Sequence, residues 1–381
     1  MALKRKFEDE ELPIQDCRTG LSSLISNYES AEAALLWLLN AYRFDRNVLR
    51  KSVRDKRAEP NFYNVNFEDM AEFVELNPQL ELDDIGTFNL HRSRIPTDLF
   101  RSILEDMDVL LVQYGPLPAH RNEEAASRFL SPIFNRLIAQ FDFAFQNLPE
   151  TIIEGHISTR GRIKHYFKAF GLISLLFIEV KFKISNEAER LDAIAQVIAE
   201  CVACDRNNAA AGFGMSIIGI LCGGRSFDFF SFDGKTRKFT RGCLPGDPAE
   251  HRRGLRLVDF TLDGPDRFIA GLRPICEIIF DLFMGAYISS LMSFHERSER
   301  KGKEGKSIKS LDKWDEALKH AQEAFGKFRA AGTKRNDKDI GQASALVGQA
   351  MNDLKLSIES LTIRRTNLIM TGWDGLKVEE V

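Results

Sequence analysis

The texture of the chain changes near Thr151, and that change restricts the fold more than any other feature. Segments 152–158, 161–168 and 171–184 are short and rich in β-branched or aromatic residues, with Gly155, Gly161 and Gly171 between them. This is the pattern of three strands. Residues 187–204 then place Leu191, Ile194, Ala195, Ile198 and Val202 on one helical face. Two more strands, 215–222 and 226–232, meet around Gly223-Gly224-Arg225, which has hairpin chemistry. Ahead of all these a helix is expected over 122–141. Asn122 caps it, Glu123 and Glu124 suit its first turn, and Leu130, Ile133, Phe134 and Leu137 form its buried stripe. Pro132 should kink or split that helix.

The flanks read as helical. Residues 1–20 are expected to be a disordered leader, and 21–115 a mainly helical region in which Ser30 caps a helix containing Ala33 to Leu39. Pro116 and Pro118 mark a boundary, so that 116–300 holds the α/β core. An irregular stretch precedes a long buried helix over 266–295. The remainder, 301–381, repeats apolar residues at alternating three and four: Leu311, Trp314, Leu318, Ala321, Phe325 and Phe328, then Ile340, Ser344, Val347, Met351, Leu354, Ile358 and Leu361. Two amphipathic helices in a hairpin explain this, packing on each other, on the core or on a second copy.

Composition sets outer bounds. With 381 residues, 44% hydrophobic and 28% charged, the chain is expected to be a soluble globular protein with a core of about 150 residues and helical additions. The apolar stretch 275–292 contains Glu277 and Asp281, which favours a buried helix over a membrane span. Six irregularly spaced cysteines make no disulfide framework and suggest an intracellular protein, nuclear or cytoplasmic. Lys4-Arg5-Lys6 is a short basic cluster that reads first as solvated terminus and second as an import signal. The net charge of −3 supplies no global attraction for nucleic acid, so any contact needs a local basic patch.

Strand 171–184 is apolar until Glu179-Val180-Lys181. Period-two alternation puts Glu179 and Lys181 on one face and Ile178, Val180 and Phe182 on the other. A carboxylate and an ammonium on a buried strand are costly unless something uses them. Phosphodiester hydrolysis does: a carboxylate can hold Mg²⁺ or Mn²⁺, and a lysine can orient water and neutralise developing charge. The tripeptide alone is equally a strand-edge salt bridge.

Its surroundings resemble the fungal divergent families of the PD-(D/E)xK restriction-endonuclease-like superfamily, over residues 120 to 235. The resemblance rests on Glu123 or Glu124 on a helix, Gly161-Arg162-Ile163-Lys164-His165-Tyr166 on a strand, Glu179-Val180-Lys181, the helix Ala195-Gln196-Val197-Ile198-Ala199-Glu200, and the hairpin around Gly223-Gly224-Arg225. It implies a restriction-endonuclease-like core with a mixed central sheet. It also implies a divalent-metal-dependent nuclease in which Glu179 and Glu124 hold Mg²⁺ or Mn²⁺, Lys181 serves the water and Gln196 supports it. One departure stands out. The strand before Glu179 should supply a second acid, but aligned on Gly161 that position holds Lys164, and aligned on Tyr166 it holds His165. Glu154 compensates if the register differs, and Glu200 is expected to face solvent.

Other constellations carry less. Cys201-Val202-Ala203-Cys204 lies inside a helix and reads as two buried cysteines, and no phosphate loop, HExxH or G-x-S-x-G occurs. Between Arg225 and Arg256, Arg225, Lys235, Arg237, Lys238, Arg241, Arg252, Arg253 and Arg256 are interleaved with Phe227, Phe229, Phe230, Phe232 and Phe239. These are candidates for phosphate contacts and base stacking, although alternating phenylalanines also fill cores. The expected partner is nucleic acid, DNA or RNA, with a homo-oligomer through the C-terminal helices as a further expectation. The alternative is an inactive nuclease-fold module that binds nucleic acid or a protein.

Overall fold

A mixed eight-stranded sheet organises the chain into an α/β fold, with strand order β1-β9-β8-β7-β6-β5-β2 and β10 added beside β8. The computed structural model describes residues 65–361 except 80–81, 121, 149–150, 154–160, 182–183, 185, 224, 246–253, 304–311 and 335–336. The expected leader, the helix containing Ala33 to Leu39, and Glu154, Phe182, Arg252, Arg253 and Leu311 lie outside the described residues. In chain order the elements are α1 (Phe67–Ala71), β1 (Thr87–Asn89), α2 (Thr97–Tyr114), α3 (Glu123–Ile138), β2 (Phe145–Asn147), β3 (Thr151–Ile153), β4 (Gly161–Ile163), β5 (His165–Ala169) and β6 (Ile173–Lys181). They continue as α4 (Glu187–Ala210), β7 (Ile217–Gly223), β8 (Ser226–Asp233), β9 (Lys238–Cys243), β10 (Leu255–Arg256), α5 (Phe260–Asp263), α6 (Pro265–Lys303), α7 (Asp312–Thr333) and α8 (Ile340–Ser360).

Alternation along each strand separates two cores. Ile178, Val180, Ile220, Cys222, Phe227 and Phe229 point to the side covered by α2, α3, α6, α7 and α8. Phe177, Leu221, Phe230, Phe232 and Phe239 point to the side covered by α4 and α1. The run β2-β5-β6-β7 forms one half of the sheet, with β2 at its edge. β2, β5 and β6 are successively antiparallel, and β6 pairs with β7 in parallel through the α4 crossover. A parallel pair requires such a crossover, which explains why a helix stands between the third and fourth of these strands.

Several expectations need correction. Strands β1, β2, β9 and β10 were not foreseen, and the expected strand 161–168 is two strands, β4 in a separate two-stranded sheet with β3 and β5 in the main sheet. Strand β1 interrupts the region expected to be helical, and pairs with β9 in parallel. Helix α3 passes through Pro132 without splitting. The Arg128 carbonyl, which loses its usual N–H donor at Pro132, accepts the Ser131 hydroxyl at 2.7 Å instead. Asn122 caps α3 as expected, its side chain accepting from the Ala125 N–H at 2.9 Å.

Within Pro265–Arg297, helix α6 contains an 18-residue stretch apolar enough by composition to cross a membrane, but 72% of that stretch is buried inside the protein. Its two buried acids are matched by arginines. Glu277 meets Arg92 at 2.7 Å and Arg273 at 3.2 Å, and Asp281 meets Arg329 at 2.8 Å with Ser93 donating at 2.7 Å. Helices α7 and α8 form the hairpin, and Ala317, Ala321, Ala324, Phe328, Ala331, Ala343, Val347, Ala350 and Leu354 are buried in the main core. Those faces are consumed within the chain, so the expected homo-oligomer through these helices finds no support.

The end of α7 docks on the segment after β1. The Arg94 N–H donates to the Phe328 carbonyl at 3.1 Å and the Arg94 guanidinium to the Lys334 carbonyl at 2.9 Å. A methyl group on Gly332 would stand 1.8 Å from the Arg92 carbonyl oxygen, a backbone atom that cannot yield. Gly332→Ala should therefore lower unfolding stability by about 2 kcal/mol or more in urea titrations. Glycine-to-alanine at Gly326, where nothing lies within 4 Å, should be neutral or stabilising.

Candidate functional site

Strand β6 delivers Glu179 and Lys181 to the α4 side of the sheet, as alternation requires. Helix α4 answers with Gln196 and Glu200, one turn apart. Their polar atoms form a chain. Lys181 Nζ lies 3.1 Å from Glu179 Oε1 and donates to Gln196 Oε1 at 2.5 Å, and Gln196 Nε2 donates to Glu200 Oε1 at 3.0 Å. Glu179 and Glu200 are both 0% exposed and Gln196 only 3%, while Lys181 keeps 18% of its side chain open. Glu200 does not face solvent. Helix α4 is covered by the sheet on one side and by α1 on another, where the Phe67 N–H reaches Asp192 at 3.3 Å. Every residue from Ala193 to Cys201 is buried.

The charges do not balance. Two buried carboxyl groups share one ammonium, and Glu179 Oε2 and Glu200 Oε2 have no hydrogen-bond partner among the described residues. Glu179 Oε1 touches the Lys181 ammonium outside hydrogen-bond geometry. Burial pushes the Glu179 carboxyl up to about 7, against the pull of Lys181, and the charge of Glu123 pushes it further up. Burial, reinforced by Glu179, raises Glu200 well above the ordinary carboxylate range. Without another cation, one of the two holds a proton at neutral pH.

The other expected residues fall as follows. Glu124 is half exposed and pairs with Arg128 at 2.7 Å, and the charges of Lys164 and His165 also act on it. Its neighbour Glu123 is the α3 acid whose charge acts on Glu179. Lys164 also acts on Glu179, lowering its pKa. His165 lies on the opposite face as a core histidine, with Nε2 3.0 Å from the Ser127 hydroxyl and Nδ1 3.4 Å from the Asn147 amide. Cys201 and Cys204 are buried and unbridged.

Register separates the basic candidates. Lys181 pairs with Gly223, two residues before Arg225, so Arg225 stands at the same end of the sheet, held by Asp259 at 3.1 Å. Lys235, Arg237 and Lys238 are exposed on the β8–β9 turn. Leu221 pairs with both Glu179 and Asp228, whereas Lys238 pairs with Asp233. That turn is thus roughly 17 Å further along β8, at the other end of the sheet. These three residues do not belong to the Glu179 site. Phe227, Phe229, Phe230, Phe232 and Phe239 are buried in the two cores and offer no stacking surface.

One constellation was missed. Asp228, level with Glu179 on the same face and 2% exposed, receives Arg190 of α4 at 2.6 Å on each oxygen and Arg241 of β9 at 3.0 Å. A sequence clue existed: an acid at a core-facing position of β8, between Phe227 and Phe229, requires a partner.

No protein-family model and no curated protein matches the chain. Among solved structures, the cryoEM structure of a DrdV–DNA complex matches over 70% of this chain and 27% of its own, at 10% identity and a TM-score of 0.26. The chain therefore spans about a quarter of that protein's length, and a likeness of that depth carries no argument about fold or function.

The raised carboxyl has a measurable consequence. An acid whose pKa rises from 4.5 to about 7 on folding contributes no penalty below 4.5 and its full penalty above 7. Glu179→Gln should therefore stabilise the metal-free protein by about 3 kcal/mol at pH 8 and by nearly nothing at pH 4. Urea unfolding at the two values checks both the size and the sign.

Proposed function

We propose that this chain is a divergent divalent-metal-dependent nuclease of the PD-(D/E)xK, restriction-endonuclease-like class. The observation that carries the reading is the pair of unpartnered carboxylate oxygens on Glu179 and Glu200, buried beside a single lysine. Oxygen donors with one positive charge missing suit Mg²⁺ or Mn²⁺. The central order supports the same reading: α3, then β2, β5 and β6 antiparallel, α4, and β7 parallel to β6, with Glu179 and Lys181 near the end of β6.

Glu179 and Glu200 would hold the ion, Glu200 taking the part of the strand acid that Lys164 replaces. Glu123 would add negative charge from α3. Bound there, the ion would supply charge stabilisation to a phosphodiester under attack. Lys181, held by Gln196 at 2.5 Å, keeps its ammonium at the open edge of the site, where it can orient water and neutralise charge on a phosphate. Arg225 stands at the same sheet end, but it pairs with Asp259 and lies on the α2 side with Phe227, so a nucleic-acid backbone would meet it only by passing around that end. A second reading, a binding module of the same fold that no longer cuts, is favoured by Lys164, whose positive charge acts on Glu179 and competes with a metal.

Labelled single- and double-stranded DNA and RNA, incubated with Mg²⁺ or Mn²⁺, distinguish the two. The nuclease reading expects metal-dependent cleavage that falls at least a hundredfold in Glu179→Ala, Lys181→Ala and Glu200→Gln. Nucleic-acid binding without cleavage would transfer the assignment to the binding module.

A further inference from the structure

We propose a second, independent metal site, for Zn²⁺, that joins the two helices of the C-terminal hairpin through His320 and Glu323 of α7 and Asp353 of α8. His320 and Glu323 are three residues apart and so share a face of α7, the face that meets Asp353. One ligand atom from each of the three side chains lies within 4.8 Å of the other two. That spacing leaves room between them. A tetrahedral zinc ion with bonds near 2.1 Å holds its ligand atoms about 3.4 Å apart, so closure takes rotamer adjustment of roughly an ångström.

A second observation points to a ligand. The His320 ring is half-buried, and its Nδ1 is shielded from solvent with no hydrogen-bond partner among the described residues. The acids are prepared differently. Asp353 is 14% exposed and commits Oδ2 to Lys327 at 2.5 Å, which fixes the carboxylate and leaves its other oxygen. Glu323 is exposed and gives the ion a path from solvent. A mixed nitrogen and oxygen set selects zinc over the magnesium or manganese suited to the all-oxygen site on β6, and water completes a fourth position. The ion would tie α7 to α8, the pair that supports α6 and the segment after β1. Its role is therefore to stabilise the buttress, and it takes no part in chemistry at Glu179.

The test is titration of the metal-free full chain with Co²⁺ as a spectroscopic stand-in, then with Zn²⁺ against a chromophoric chelator, beside thermal melts. The expected result is one tight equivalent, visible absorption from a nitrogen-containing site, and a melting temperature raised by a few degrees. His320→Ala and Glu323→Gln should each weaken that equivalent at least tenfold and remove the thermal shift. Glu323 is on the surface, so its substitution leaves folding intact and keeps the test decisive. Absence of a tight equivalent, or affinity within twofold of the parent in both variants, overturns the proposal.

Discussion

The burial of two carboxyl groups around one lysine is the interaction on which the rest of the arrangement turns. Glu179 is carried into the interior by an apolar strand, and Glu200 by a helix pressed between the sheet and α1. Each is stripped of water, and Lys181 compensates for only one. The interior tolerates this by leaving a proton on one of them or by admitting a cation, and both carboxyls accordingly titrate above the ordinary range.

The imbalance gains meaning from how other buried acids in the same protein are treated. Asp228 is met by Arg190 and Arg241, Glu277 by Arg92 and Arg273, and Asp281 by Arg329 with the Ser93 hydroxyl. Each of those carboxylates has at least one guanidinium to itself, and their surroundings are structural. Only around Glu179 and Glu200 does the described core fall short of positive charge. The shortfall is local, at the end of β6 where Lys181 remains partly open to solvent and where Arg225 also stands.

Much of the core was legible because period and punctuation are local signals. Alternation placed Glu179 and Lys181 together, Gly171 separated β5 from β6, and Asn122 announced the start of α3. What escaped depended on distant partners. Strand β9 is short and carries Lys238 and Arg241, and becomes a strand through β8 and β1 on its two sides. The phenylalanines of β8 and β9 looked available for stacking until both sheet faces proved to be covered. The most buried stripe of α7 is alanine at Ala317, Ala321, Ala324 and Ala331 beside Phe328, and the weak apolar signal of alanine hid all of these but Ala321 and Phe328.

The sequence by itself determined the alternation of β6, the helix that follows it and the pairing of Glu179 with Lys181, because these depend on backbone periods a few residues long. The tertiary structure decided which other groups join them. It brought in Glu200, which a local reading turned to solvent, because α1 closes over the helix face that periodicity leaves open. It turned Glu124 outward to Arg128 and moved Lys235, Arg237 and Lys238 to the far end of the sheet, because strand register sets distance along β8. Charge compensation in a low-dielectric interior depends on such non-local neighbours, and no span of sequence contains them.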